Sequence, residues 1–250
     1  MFTTDGEKMD KWKIETDIED NGRHLSGHII KSIKERFVKH SISAGNLTGI
    51  GIGVPGFVDE ASTFFVTLGT GVGSGIIVNG DLVNGPNGTA GEIDHTITVP
   101  HGRLCTCGRE GCLEEYVAAK GLRRSLRDYL RNFRDSSPLH KDSEVIDIYE
   151  AAKAGDALAV HIVNDAAYYL AYALANVVTL INPEKIIIGG GVSAAGEKLL
   201  RPLVAHFKRF VLKEADKSLS FEFARPGNDA GIYGATWLVM KRLGYFQNML

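Results

Sequence analysis

The sequence predicts an α/β protein, and three observations carry that prediction. Strand-like and helix-like segments alternate along the chain. "AVHIVNDAAYYLAYALANVVTLIN" (159–182) runs through "NPE" into "KIIIGGGVSAAGEKLL" (185–200), a buried helix, a stop, a buried strand, three glycines and a second helix. That unit places ligand at the carboxyl end of a parallel strand. "TFFVTLGTGVGSGIIVNGDLVNG" (63–85) reads as strand, glycine-rich turn over 69–75, strand, polar turn, strand.

The remaining elements follow from periodicity. In "HLSGHIIKSIKERFVKH" (24–40), Leu25, Ile29, Ile33 and Phe37 recur at helical spacing, so this is an amphipathic helix. "LTGIGIGVPGFVDE" (47–60) is a buried strand that ends in a Gly-Pro loop. "GLRRSLRDYLRNF" (121–133) and "EVIDIYEAAKAGD" (144–156) are helices, and the polar stretch 135–143 around Pro138 is a loop. "GNDAGIYGATWLVMKRL" (227–243) closes the chain as a helix.

Composition excludes several classes. The 250 residues are 44% hydrophobic, enough for one large domain or two modest ones. A net charge of -2 gives no basic excess for nucleic acid or an anionic membrane. "MFTTDGEKMDKWK" lacks the apolar core of a signal peptide. The most apolar run, 166–181, is too short to span a bilayer. These features predict a cytoplasmic location.

All three cysteines, Cys105, Cys107 and Cys112, fall within eight positions, ten residues after His95. The spacing H-x9-C-x-C-x4-C supplies one imidazole and three thiolates, the closed set that marks a structural zinc site. Gly102, Gly108 and Gly111 allow the tight turns that bring sulfurs onto one ion. The other reading is three ordinary buried cysteines. Two glycine segments offer phosphate or nucleotide sites. Backbone N–H groups of "GTGVGSG" (69–75) can cradle phosphate oxygens, or the segment is a plain hairpin turn. Gly189, Gly190 and Gly191 let a nucleotide lie against bare backbone, or serve close helix–strand packing.

Taken together, "GVPGFVD" (53–59), "VTLGTGVGSGI" (66–76), "GTAGEIDH" (88–95), "CTCGREGCLEEY" (105–116), "INPEKIIIGGGVS" (181–193) and "GNDAGIYGA" (227–235) resemble the repressor, open reading frame, kinase (ROK) family of sugar kinases, and within it the bacterial glucokinases. The resemblance runs nearly the whole chain in family order. It implies an actin/hexokinase-like, ribonuclease H-like fold of two lobes around a cleft, with residues 1–62 a remnant of the small lobe. Residues 63–250 would be the large lobe, its last helix packing back on the small one. It implies ATP with Mg2+, a structural Zn2+ held by His95, Cys105, Cys107 and Cys112, and a hexose, glucose foremost. Glu92, His95 and Glu114 would contact sugar hydroxyls. Thr70 and Gly71 would face the ATP phosphates, and Gly190 and Gly191 the nucleoside. Relatives are commonly homo-oligomers.

Two family elements have no match. One is the opening strand with D-x-G-G-T, so that "TTDGEKMDKWKIET" (3–16) reads as the hairpin that follows it. The other is the N-D-A-N segment between "PGFVD" and "VTLGTG", whose Asp is the family's general base, so the catalytic residue is unassigned. "VNDAA" (163–167) lies inside the apolar helix, where Asn164 and Asp165 are helix residues rather than that motif. Asp59 is a surviving carboxylate close to the junction. Asp94 stands where glucokinases usually have Gly. The expected small lobe is therefore incomplete. The chain is read as a glucokinase-type kinase, with a catalytically inactive sugar-binding or regulatory protein, or a kinase for another hexose or N-acetylhexosamine, as alternatives. A repressor would carry an N-terminal helix-turn-helix segment, which "MFTTDGEK" does not follow.

Overall fold

A computed structural model describes residues 1–14, 25–47, 62–131, 136–191, 196–224, 235–236 and 239. The chain divides into two compact units, Met1–Gly53 with Ala235–Leu250, and Val54–Gly234. The expected strand at 47–60 and helix at 227–243 lie almost wholly outside the described residues.

In the first unit, helix α1 spans Leu25–Lys39, as its periodicity predicts. Ile29, Ile33 and Phe37 are half-buried, while Lys31, Lys34 and Glu35 are exposed. The preceding segment forms the expected small hairpin, bridged between Phe2 and Lys8. It is tied to α1 by polar contacts. The Trp12 indole donates to Ser32 Oγ at 2.5 Å, and Asp10 Oδ2 lies 2.7 Å from His40 Nε2.

Among the described residues the second unit is built on a five-stranded sheet. Its strands are β1 (Thr63–Leu68), β2 (Val72–Val78), β3 (Asp81–Leu82), β4 (Lys185–Gly189) and β5 (Ser220–Phe223), in the order β3-β2-β1-β4-β5. β1 pairs antiparallel with β2 and parallel with β4, and β5 runs parallel to β4. β1 buries successive residues on both faces, Phe64, Phe65 and Val66, which is why its run is continuously apolar rather than alternating.

The glycine-rich turn is shorter than the sequence suggests. Gly73, Ser74 and Gly75 belong to β2 and pair with Thr67, Val66 and Phe65, so the turn shrinks from 69–75 to 69–71. Glycine tolerates extended backbone as readily as a turn, and pairing with a strongly apolar neighbour decided between them. β5 is an element the periodicity does not announce. Its four residues are ordered by pairing along β4.

Helices carry the rest of the core. They are α2 (Glu114–Val117), α3 (Ala119–Leu130), α4 (Val145–Ala154), α5 (Ala157–Ile181), α6 (Glu197–Phe210) and α7 (Lys213–Asp216). α5 starts where the Asp156 side chain accepts from Ala159 N at 2.8 Å. It stops at Asn182, in a left-handed conformation just before Pro183. Leu158, Ile162, Leu170 and Leu174 line its buried side, against Phe207 of α6, Ile148 of α4 and Leu122 and Leu126 of α3. Asn164 and Asp165 are α5 residues, as expected. Asp165 accepts from the Tyr129 hydroxyl, and Asn164 Oδ1 lies 3.0 Å from His206 Nε2. Among the described residues no helix is long and apolar enough to cross a membrane.

Candidate functional site

The parallel pairing of β1 with β4 sets Thr67 opposite Gly189. Both glycine segments therefore leave the sheet side by side, at the carboxyl ends of adjacent parallel strands, where open α/β sheets bind ligands. In the first, Gly69 N donates to Gly71 O at 2.9 Å and Gly69 O accepts from Ala119 N at 2.9 Å, so the start of α3 braces the turn. Thr70 is exposed at its tip. In the second, the three glycines have different reasons. Gly189 is buried in β4 beside Ala224. Gly190 has φ 84°, and a Cβ there would overlap the Leu68 backbone. Among the described residues no atom lies within 4 Å of a Cβ built at Gly191. Close packing thus requires glycine at Gly190, whereas a Cβ at Gly189 would make only ordinary contacts.

The next segment hangs on Ser74 of β2. Its hydroxyl donates to Gly91 O and accepts from Ile93 N at 3.2 Å, fixing both neighbours of Glu92. Glu92 itself is exposed. A single 3-10 turn, Ile93–His95, then buries Asp94 and turns His95 toward the cysteines.

The cysteine segment folds around two antiparallel bridges, Ile97 with Cys112 and Leu104 with Glu110. Cys105 N donates to Arg109 O at 2.8 Å, closing the tight loop that holds Cys107. Gly111 is required in this loop, since a Cβ would overlap the Val99 carbonyl oxygen. One donor atom each from His95, Cys105, Cys107 and Cys112 lies within 4.8 Å of all the others. Cys107 Sγ is 3.6 Å from Cys112 Sγ, and Cys105 Sγ is 3.8 Å from His95 Nδ1. Bond lengths of about 2.3 Å to sulfur and about 2.1 Å to nitrogen put tetrahedral zinc donors roughly 3.5–3.8 Å apart. The donor set and its spacing fit that ion. Cys105 and Cys112 are buried and Cys107 is exposed. Arg109 beside the sulfur holds the Cys107 thiol down at about 6, while burial pushes Cys112 up to about 12.

Glu114 begins α2, directly after this loop. Lys120 of α3 lies 2.7 Å from Glu114 Oε1 and 3.0 Å from Glu115 Oε1. Cys105, Glu114 and Glu115 form a second grouping of potential metal ligands, but both carboxylates are already paired with Lys120. Glu114 Oε2 faces Gly71, where a Cβ would stand 3.1 Å away. The carboxylate and the glycine turn are therefore in direct register.

Sequence reasoning did not single out Ser74, Arg103, Tyr116 or Lys120. Arg103 ties the cysteine loop to α3. It donates to Glu115 O at 2.8 Å, Gly121 O at 3.2 Å and Ser125 Oγ at 3.1 Å, and stacks over Tyr116. Its partners lie 12 to 25 positions away, so no local pattern announces them.

With this geometry in hand, the comparisons decide the family. Residues 59–242 match the sequence profile of the ROK family. The chain belongs to the ROK family. It is 35% identical to a glucokinase of Halalkalibacterium halodurans, over 97% of this chain and 91% of that one. It is 31% identical to an N-acetylmannosamine kinase of Salmonella typhi, over 72% of this chain but 57% of the relative. A ROK family glucokinase from Streptomyces griseus, solved in complex with glucose and AMPPNP, superposes with a TM-score of 0.65 at 34% identity. That match covers 71% of this chain and 60% of the other. The fold is thus the actin/hexokinase-like one of ROK proteins. The alignment with the H. halodurans protein has 300 positions against 250 residues here, so at least 50 positions of it face gaps in this chain.

Proposed function

We propose that this ROK protein is an ATP-dependent hexose kinase by type, with glucose as the first substrate to try. The observation that carries the reading is the joining of two half-sites on one sheet end. The glycine turn at 69–71 stands in direct register with Glu114, and Glu114 follows the loop that holds the cysteines and His95. Carboxylates accept charge-assisted bonds from hydroxyls, which suits Glu92 and Glu114 to a polyol. Thr70, Gly71, Gly190 and Gly191 would border the ATP phosphates and nucleoside. Mg2+ would accompany the nucleotide and neutralise charge on its phosphates.

His95, Cys105, Cys107 and Cys112 would hold a structural Zn2+, which supplies cross-linking of the loop rather than reaction chemistry. The protein's own residues do the positioning. Ser74 fixes the turn that carries Glu92, Lys120 holds Glu114, and Arg103 anchors the cysteine loop. The reading carries with it a cytoplasmic site of action and a homo-oligomer.

A second reading rests on the gapped alignment. The gaps accord with loss of the block between "PGFVD" and "VTLGTG", which in the family carries the base that orients the sugar hydroxyl. A chain without that base binds hexose and does not turn it over. ATP-dependent phosphorylation of glucose and of N-acetylmannosamine, with Glu92→Ala as the control for host kinases, separates the two. Turnover that Glu92→Ala abolishes establishes the kinase and its sugar. Glucose binding by calorimetry without turnover establishes the second reading. Neither binding nor turnover refutes both.

A further inference from the structure

The three sulfurs of the cysteine loop differ in how they meet solvent. Cys105 is 3% exposed and Cys112 is fully buried, whereas Cys107 is exposed. Cys107 lies at the tip of the loop that Cys105 N closes on Arg109 O. Behind it stands Cys112 Sγ, 3.6 Å away. Cys105 Sγ is turned toward His95 Nδ1 at 3.8 Å and Glu114 Oε1 at 3.9 Å. One accessible sulfur thus has a buried sulfur in contact behind it. Metal coordination keeps each of these sulfurs a thiolate, so access decides which one an oxidant reaches.

We infer that Cys107 is a site of oxidation by hydroperoxides, with Cys112 as its resolving thiol and release of the metal as the outcome. In the first step the Cys107 thiolate attacks one peroxide oxygen. The S–O bond forms, the O–O bond breaks, and the leaving oxygen takes a proton from solvent. Sulfur loses two electrons to become the sulfenic acid, and hydrogen peroxide is reduced to water. In the second step the Cys112 thiolate attacks the Cys107 sulfur. The S–S bond forms, the S–O bond breaks, and hydroxide takes a proton and leaves as a second water. The disulfide removes two of the four donors, and His95 with Cys105 alone does not close a tetrahedron around zinc. The loop between His95 and Glu114 then loses its cross-link. Contact with Cys112 also traps the sulfenic acid before it is oxidised irreversibly, so a dithiol reductant restores the site. The inference rests on the zinc assignment above, and not on the sugar or on turnover.

The test adds hydrogen peroxide in increasing ratio to the purified, zinc-loaded chain. Released zinc is read with a chromogenic chelator, free thiols are counted, and tryptic peptides are mapped by mass. Trypsin cuts after Arg103, Arg109 and Lys120, so Cys105 and Cys107 share one peptide and Cys112 lies on the next. The expected result is a cross-link between those two peptides that fragmentation places on Cys107. One zinc leaves for each disulfide formed, and dithiothreitol with fresh zinc reverses both changes. Cys107→Ser should release zinc to peroxide roughly tenfold more slowly. If that variant holds no zinc, the peptide map of the unchanged chain decides. A disulfide between Cys105 and Cys107, or a cross-link placed on Cys105, overturns the inference and leaves the zinc assignment standing. So does zinc retained while peroxide oxidises free glutathione in the same sample. A chain that holds no zinc before peroxide is added overturns both.

Discussion

Replacing Arg103 by Ala should unfold the cysteine loop from α3 at a cost that the contacts allow to be worked out. The side chain is 14% exposed, and its guanidinium satisfies two backbone carbonyls and the Ser125 hydroxyl. Hydrogen bonds from a charged donor are worth about 1.5–3 kcal/mol each, and they do not add when they share one side chain. The Asp128 partner is 44% exposed, so that ion pair adds under about 1 kcal/mol. Stacking over Tyr116, 4.8 Å from the guanidinium carbon, adds about 1 kcal/mol. The sum, discounted for sharing, is about 3–4 kcal/mol. For a chain of this size that is a fall in Tm of roughly 6–15 °C. Arg103→Lys keeps the charge but not the fork, and should lose more than half as much. Thermal and urea denaturation followed by circular dichroism would measure both, with zinc content determined in parallel. A loss below about 1 kcal/mol for Arg103→Ala, or a Lys variant as stable as the parent, would refute the account of Arg103 as the loop's anchor.

Three other outcomes are expected. Gly190→Ala should destabilise by more than about 2 kcal/mol in urea titration, since φ is 84° and the new methyl meets the Leu68 backbone. A chelator should lower the melting temperature of the zinc-loaded chain. Zinc affinity should also fall as pH falls, because the metal must displace the proton that Cys112 holds up to about 12; a metal-free chain that melts unchanged would count against the site. Asp10→Asn should reduce stability near neutral pH. His40 holds the Asp10 carboxyl at about 2, below its unfolded value near 3.9, so the contribution is complete above about pH 4 and lost as pH falls toward 2. A parent-minus-variant difference in melting temperature that persists to pH 2 would contradict this.

The family was legible because its signals are short and local. The cysteine spacing with His95 needs only a run of eighteen residues, and the apolar helix before "NPEKIIIGGG" needs only its neighbours. The helices α1 and α3 to α5, and the start of α6, follow their sequence pattern for the same reason. The glycine segments were less legible. Glycine carries no side chain to bias the backbone, so only pairing with β1 showed that Gly73 and Gly75 are strand residues. The demand for glycine at position 190 is likewise invisible until the Leu68 backbone is seen against it.

The sequence by itself determined the class of fold and the candidate zinc donors, because each is written in residue type and spacing, while the carboxylates Glu92 and Glu114 came from the family resemblance. Tertiary structure decided which groups are already spoken for. Arg103 became an anchor and Lys120 a holder of Glu114. Those assignments depend on contacts across 6 to 25 positions and on exclusion from water. A hydrogen bond's worth is set by its burial and its partner, and neither quantity exists until the chain has folded.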